Sequence, residues 1–137
     1  MSMKMVSMSN QPEIKPVISL RNIVEAKELI NQIYLDEKIE KYILDIVFAT
    51  RFPEKYGLSD LKSLIAFGAS PRASINLAIA GRAMAFLKNR AFVIPEDIKE
   101  IAKDILRHRI GLSFEAEAEE ISADDIVEKI LGKVQAP

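Results

Sequence analysis

Between Ala73 and Leu87 the chain carries Ala73, Ile75, Leu77, Ala78, Ile79, Ala80, Ala83, Met84, Ala85, Phe86 and Leu87 with little polar interruption. Wound as a helix, these residues are apolar around most of the circumference, and such a helix must be covered on several sides. That requirement constrains everything else, because the flanking segments have to supply the cover. Ser70 stands where an N-cap belongs and Pro71 at the first helical position, where a missing N–H does no harm. The helix is expected to end near Asn89.

The flanking segments have the amphipathic patterns this needs. Asn22 followed by Glu25 has the form of a capping box, and Ile23, Ala26, Ile30 and Ile33 make the stripe of a first helix near 22–33. Asp36 is placed to cap a second, in which Ile39, Tyr42, Ile43, Ile46, Val47 and Thr50 recur at helical spacing. Pro53 and Gly57 close it ahead of a loop to about Gly68. After an extended Ala91-Phe92-Val93-Ile94, Pro95 opens a fourth helix with Glu96 and Asp97 in its first turn, where the helix dipole favours acids. Ile98, Ile101, Ala102, Ile105 and Leu106 form its stripe, Arg107, His108 and Arg109 its basic end, and Gly111 its stop. Ser122 caps a last helix whose Ile126, Val127, Ile130 and Leu131 face inward. Residues 112–121 alternate weakly and read as a short strand or extended arm. Pro12 and Pro16 mark residues 1–18 as a flexible tail or linker. The expected fold is one all-α domain over 19–134, a small bundle of about five helices with no internal repeat.

Composition removes several classes of function. With no cysteine and a single histidine, His108, among 137 residues, thiol chemistry, disulfides and a histidine-rich metal site are excluded, and no metal is expected. A net charge of −1 lacks the basic excess of a nucleic-acid binder. No apolar run approaches the roughly 18–20 residues of a membrane span, and Met1 to Asn10 lacks the apolar stretch of a signal peptide. A soluble cytoplasmic domain, with neither membrane nor nucleic acid as partner, is expected. The phosphate-cradling pattern G-x-x-x-x-G-K-[ST] does not occur: Gly132-Lys133 leads to Val134. By itself the chain is expected to have no hydrolytic centre.

One segment stands out chemically. In Gly68-Ala69-Ser70-Pro71-Arg72 a helix start carries an arginine in its first turn. A cation there opposes the helix dipole by about 0.3–1 kcal/mol. The same arrangement suits an anion, which backbone N–H groups and a guanidinium can address together. The alternative is that Arg72 pairs with a surface carboxylate or lies over the apolar helix.

Gly68-Ala-Ser-Pro-Arg-Ala73, the apolar helix behind it, Asn89-Arg90-Ala-Phe-Val-Ile-Pro95-Glu-Asp-Ile98 and Leu106-Arg-His-Arg-Ile110 occur in one order and at compatible spacing. Together with Pro16-Val-Ile-Ser19, Tyr42-Ile and Ala49-Thr-Arg51, they resemble the C-terminal lid of MoxR-family AAA+ ATPases over roughly residues 12–132. The resemblance implies that Gly-Ala-Ser-Pro-Arg is a sensor 2 motif, with Arg72 reaching the γ-phosphate of ATP on a preceding core and Ser70 and Pro71 beside it. Tyr42 is a further candidate, for the adenine side of the cleft, with core packing as its alternative. The resemblance further implies ATP, as its magnesium complex, in a full-length parent but not on this chain alone. It also implies an AAA+ core in the same chain, a hexameric ring, von Willebrand factor A domain partners and chaperone-like remodelling. Ile94 departs from the family pattern, in which a capping Thr is common, so that helix start is expected to be less well capped. Arg51, Arg82, Arg107 and Arg109 read as helix-end or surface residues, His108 as a helix-end partner, and Glu115, Glu117, Glu119 and Glu120 as a solvated edge. Two further readings remain open at this level: a histone-fold-like interaction or dimerisation module, and a free-standing adaptor that binds a partner helix.

Overall fold

The computed structural model describes residues 11–137. Six α-helices are present among them: α1 (Leu20–Asn31), α2 (Glu37–Arg51), α3 (Arg72–Leu87), α4 (Pro95–Leu106), α5 (Phe114–Ala118) and α6 (Ala123–Lys133). Two short strands, β1 (Ile65–Phe67) and β2 (Gly111–Leu112), pair antiparallel, Ile65 opposite Leu112 and Phe67 opposite Gly111. Of the tail expected over 1–18, residues 1–10 lie outside the described residues, and 11–18 are exposed and carry no helix or strand. No helix among the described residues is long and apolar enough to cross a membrane.

The core lies where α2, α3, α4 and α6 meet. Ile46, Leu61, Leu77, Ile98, Leu106, Ile126 and Ile130 are fully buried there, each side chain stabilising the fold by about 1.5–3 kcal/mol relative to exposure. The expected stripes of α2, α4 and α6 are the faces that go inward. Helix α3 packs chiefly on α4, and Gly81 sits at the contact: a Cβ there would come within 2.6 Å of Ile98 Cδ1.

Several local expectations shift. The first helix starts two residues earlier than its pattern suggested. Its cap is Ser19, whose hydroxyl accepts from the Asn22 N–H at 3.1 Å while Asn22 Oδ1 accepts from the Ser19 N–H at 2.9 Å. Asn22 is thus the inner partner of the box and not its cap. The stretch from Pro53 to Gly68, expected as loop, contains 3₁₀ turns at Pro53–Tyr56 and Ser59–Leu61 and then β1. In the stretch 112–121 only Leu112 is strand; Ser113 caps α5, its hydroxyl accepting from the Ala116 N–H at 3.2 Å. Helix α3 closes at Leu87, followed by Asn89 in the left-handed region (φ 57). The Asn89 N–H reaches Phe86 O at 3.0 Å and the Arg90 N–H reaches Ala85 O at 2.9 Å, a Schellman closure.

That closure delivers Arg90 to Asp97. The guanidinium donates to both carboxylate oxygens, at 2.6 and 2.7 Å, and Asp97 also accepts from the Ile94 N–H at 2.9 Å. Ile94 has no acceptor to offer, so the start of α4 is secured by Asp97 reaching back. Asp97 is completely buried. Burial pushes its carboxyl upward, but the Arg90 bonds, the Ile94 N–H and the nearby positive charge outweigh this and hold it below the ordinary carboxylate range.

A folded value below the unfolded one means that Asp97 contributes stability above about pH 4 and loses it as pH falls through the depressed value. We expect Asp97→Asn to cost about 1.5–3 kcal/mol at neutral pH, because it weakens the charge-assisted hydrogen bonds that a buried carboxylate makes with a partly exposed guanidinium. The gap in thermal midpoint between wild type and variant should shrink once the pH drops below about 4. A gap independent of pH would mean that Asp97 is not ionised in the fold.

Candidate functional site

The segment Gly68–Arg72 leaves β1 and enters α3. Two consecutive residues at the end of α2 hold its first half. Thr50, buried, donates its hydroxyl to Val47 O at 2.6 Å and accepts the Ala69 N–H at 2.9 Å. Arg51 Nη1 donates to Ala69 O at 3.2 Å. Gly68 lies flush on the same turn: a Cβ there would overlap the Thr50 carbonyl, coming within 2.6 Å of its carbon and 2.8 Å of the Arg51 nitrogen. Only glycine leaves room for the backbone to approach so closely.

The second half turns into the helix. Pro71 has φ −56 and ψ −23, the Ala73 N–H reaches Ser70 O at 2.9 Å, and the Ser74 hydroxyl donates to Pro71 O at 2.6 Å. The cap position falls on Pro71, and the Ser70 hydroxyl takes no helix N–H, which corrects the expected Ser70 cap. Ser70, Pro71 and Arg72 are all exposed. Neither the Ser70 hydroxyl nor the Arg72 guanidinium has a hydrogen-bond or ion-pair partner among the described residues. The reading in which Arg72 pairs with a surface carboxylate therefore does not hold, and a hydroxyl and a guanidinium stand open at the positive end of a sixteen-residue helix. That combination fits an anion.

Beyond Arg72, on the same side of α3, come Ile75 (59% exposed) and Ile79 (55%), facing Leu44 (40%) of α2. These three border a groove of about 330 Å³ that also takes in Leu35, Glu40 and Arg82. Tyr42 is not brought to this side. It is 1% exposed and lines a different cavity of about 410 Å³, with Lys38, Asp45, Tyr56 and the segment 133–137. Burial, and secondarily the charge of Glu96, raises its phenol above the ordinary value, and its hydroxyl has no partner among the described residues. Arg82 donates to Ile33 O at 3.1 Å, and Arg107 bonds Asp124 at 2.7 Å; both tie elements together. His108 is exposed. No group of three or more His, Asp or Glu residues placed to hold a metal occurs among the described residues. The sequence reading missed the part played by Thr50 and Arg51, whose partners lie nineteen and eighteen residues away.

The described residues thus form a helical bundle with an exposed arginine at a helix start and an apolar groove along the same helix. Residues 59–130 match the family model described as the AAA lid domain, and the chain belongs to that family. It is 38% identical over 126 residues to Chaperone MoxR1 of Mycobacterium tuberculosis, covering 92% of this chain and 33% of that protein. It is 37% identical over 79 residues to Protein MoxR of Paracoccus denitrificans, covering 55% of this chain and 23% of that one. The crystal structure of a candidate ATPase from Cytophaga hutchinsonii superimposes with a TM-score of 0.90 at 48% identity, covering 98% of this chain and 41% of that one. The chain spans about a quarter to a third of the length of the curated relatives it matches. It is the lid domain of MoxR-type AAA+ ATPases, mostly helical with a small strand pair.

Because Gly68 abuts backbone and not a movable side chain, we expect Gly68→Ala to force the loop off Thr50. The cost should be about 1–3 kcal/mol, read as a lowered thermal midpoint together with loss of the Ala69 amide's protection from exchange. An unchanged midpoint would show that the loop has slack.

Proposed function

We propose that this lid completes the ATP site of a MoxR-type AAA+ ATPase, with Arg72 as the sensor 2 arginine. The observation that carries the reading is Arg72 itself, exposed and without a hydrogen-bond or ion-pair partner among the described residues, at the first residue of α3. A guanidinium fixed at the edge of a nucleotide site stabilises charge on a phosphoryl group as it transfers, and no rearrangement is needed at that moment. Ser70, one residue before the helix cap, is the second polar group on the same edge. In this reading the partner of the Ile75, Ile79 and Leu44 face is an AAA+ core carried in the same polypeptide. Burying that face would hold the lid in place while Arg72 meets ATP bound with magnesium.

A contact made by the γ-phosphate and lost on hydrolysis is the differential interaction that a switch requires. Lid position would then follow nucleotide state. Through it the parent protein, assembled as a ring of six, would drive chaperone-like remodelling of partners that carry von Willebrand factor A domains. The name of the mycobacterial relative, a chaperone, supports the remodelling part of this reading.

Arg72→Ala, made in a protein in which this lid adjoins its core, is expected to lower ATP turnover about a hundredfold. The thermal midpoint should stay where it is, since Arg72 makes no hydrogen bond or ion pair among the described residues. Steady-state hydrolysis and a melting curve on the same preparation decide the matter. Wild-type turnover in the variant, or a collapsed midpoint, overturns the assignment.

A further inference from the structure

We propose that Arg51 is a positioning residue for Arg72, acting through Ala69 so that the last turn of α2 sets where the arginine of α3 points. The proposal rests on the reading of Arg72 given above and adds the element that controls it. Both polar groups of Ala69 are captured by neighbours on one helix end: its N–H by Thr50 and its carbonyl by Arg51. The two bonds differ in kind. Thr50 is buried and its hydroxyl is committed at both ends, to Val47 O and to Ala69, which makes that bond part of the packing. Arg51 is exposed, and Ala69 O is its one hydrogen-bond partner among the described residues. Its charge also lies at the C-terminal end of α2, where the dipole favours it.

Between this latch and Arg72 the backbone has little freedom. The Ala73 N–H reaches back to Ser70 O at 2.9 Å. Pro71 fixes its own φ, and its carbonyl is held by Ser74. Three residues, Ser70 to Arg72, therefore translate the position of Ala69 into the direction of the Arg72 side chain. A displacement of about 1 Å at a catalytic contact is enough to cost a large factor in rate. An exposed arginine that stabilised only its own helix end would have no such effect.

The test has two arms. In a protein carrying the lid beside its core, kcat and KM for ATP are measured for Arg51→Ala, Arg51→Lys and Arg72→Ala. Arg51→Ala should lower kcat about five- to tenfold with KM and thermal midpoint unchanged, and Arg51→Lys, which keeps one donor, should recover part of it. Full turnover in Arg51→Ala, with Arg72→Ala impaired, overturns this inference and leaves the reading of Arg72 standing. A matching rise in KM, fully restored by lysine, also overturns it, because Arg51 would then be touching the nucleotide. If Arg72→Ala is itself without effect, the reading of Arg72 fails first. The second arm does not depend on that reading. In the 137-residue chain, Arg51→Ala should raise hydrogen exchange at the Ala69 amide about tenfold and leave the amides of Ile46 and Val47 unchanged. An unchanged Ala69 rate shows that no latch exists.

Discussion

Helix α3 packs chiefly on α4 but is tied at both ends to the two ends of α2, and those ties set its register in the bundle. At the start of α3, Thr50 and Arg51 hold Ala69. Beyond its end, the Tyr34 N–H reaches Ala91 O at 2.9 Å and the Val93 N–H reaches Tyr34 O at 3.0 Å, just ahead of Asp36, which caps α2. The helices run antiparallel, so the loop entering α3 and the loop leaving it are each pinned to an opposite end of one rod. An apolar helix held only by side-chain packing can slide or rotate in register. Hydrogen bonds to the backbone at both ends, from side chains at the start and from main chain beyond the end, remove that freedom, because each bond is directional and an unpaired buried partner would be costly.

The polar groups that do this sit at junctions and leave the middle of the core apolar. Thr50 and Asp97 are the two buried polar residues among those described, and each secures a helix end against the chain that follows or precedes it. Gly81 lets α4 approach α3 closely, while Arg90 and Asp97 fix the angle at which the chain turns between them. Away from these points α3 and α4 present side chains that pack without direction. Register thus comes from a few hydrogen bonds and cohesion from the apolar surface.

The amphipathic helices were legible because their signals are local. Asp36 and Ser122 cap the helices they were expected to cap, and the stripes of α2, α4 and α6 are the buried faces. At α1, Ser19-x-x-Asn22 and Asn22-x-x-Glu25 both fit a capping box, so the pattern is ambiguous by one turn. Strands of three and two residues carry no periodicity and exist only through their pairing. Asp97 was read as an acid placed by the dipole, because its partner Arg90 is delivered by a left-handed Asn89 that no spacing rule announces. At the site, Arg72 could be picked out from chemistry at a helix start. Its lack of a partner, the idle Ser70 hydroxyl and the Arg51 contact are long-range facts and were not legible. Tyr42 shows the converse: a helical position that is good for a core and carries a polar tip cannot be told from a cleft residue by pattern alone.

Helix α1 stands apart from this frame. It is twelve residues long with none of them buried, and Ile23, Val24 and Leu29 face solvent. Isolated helices of about that length are marginal in water. The stiffness of this rod, about 18 Å from end to end, is therefore borrowed from whatever lies against it. Among the described elements it is α3 that α1 lies against, so the winding of α1 depends on that contact. A short amphipathic rod of this kind holds its shape by leaning on its neighbour, whereas the helices of the core hold theirs by being enclosed.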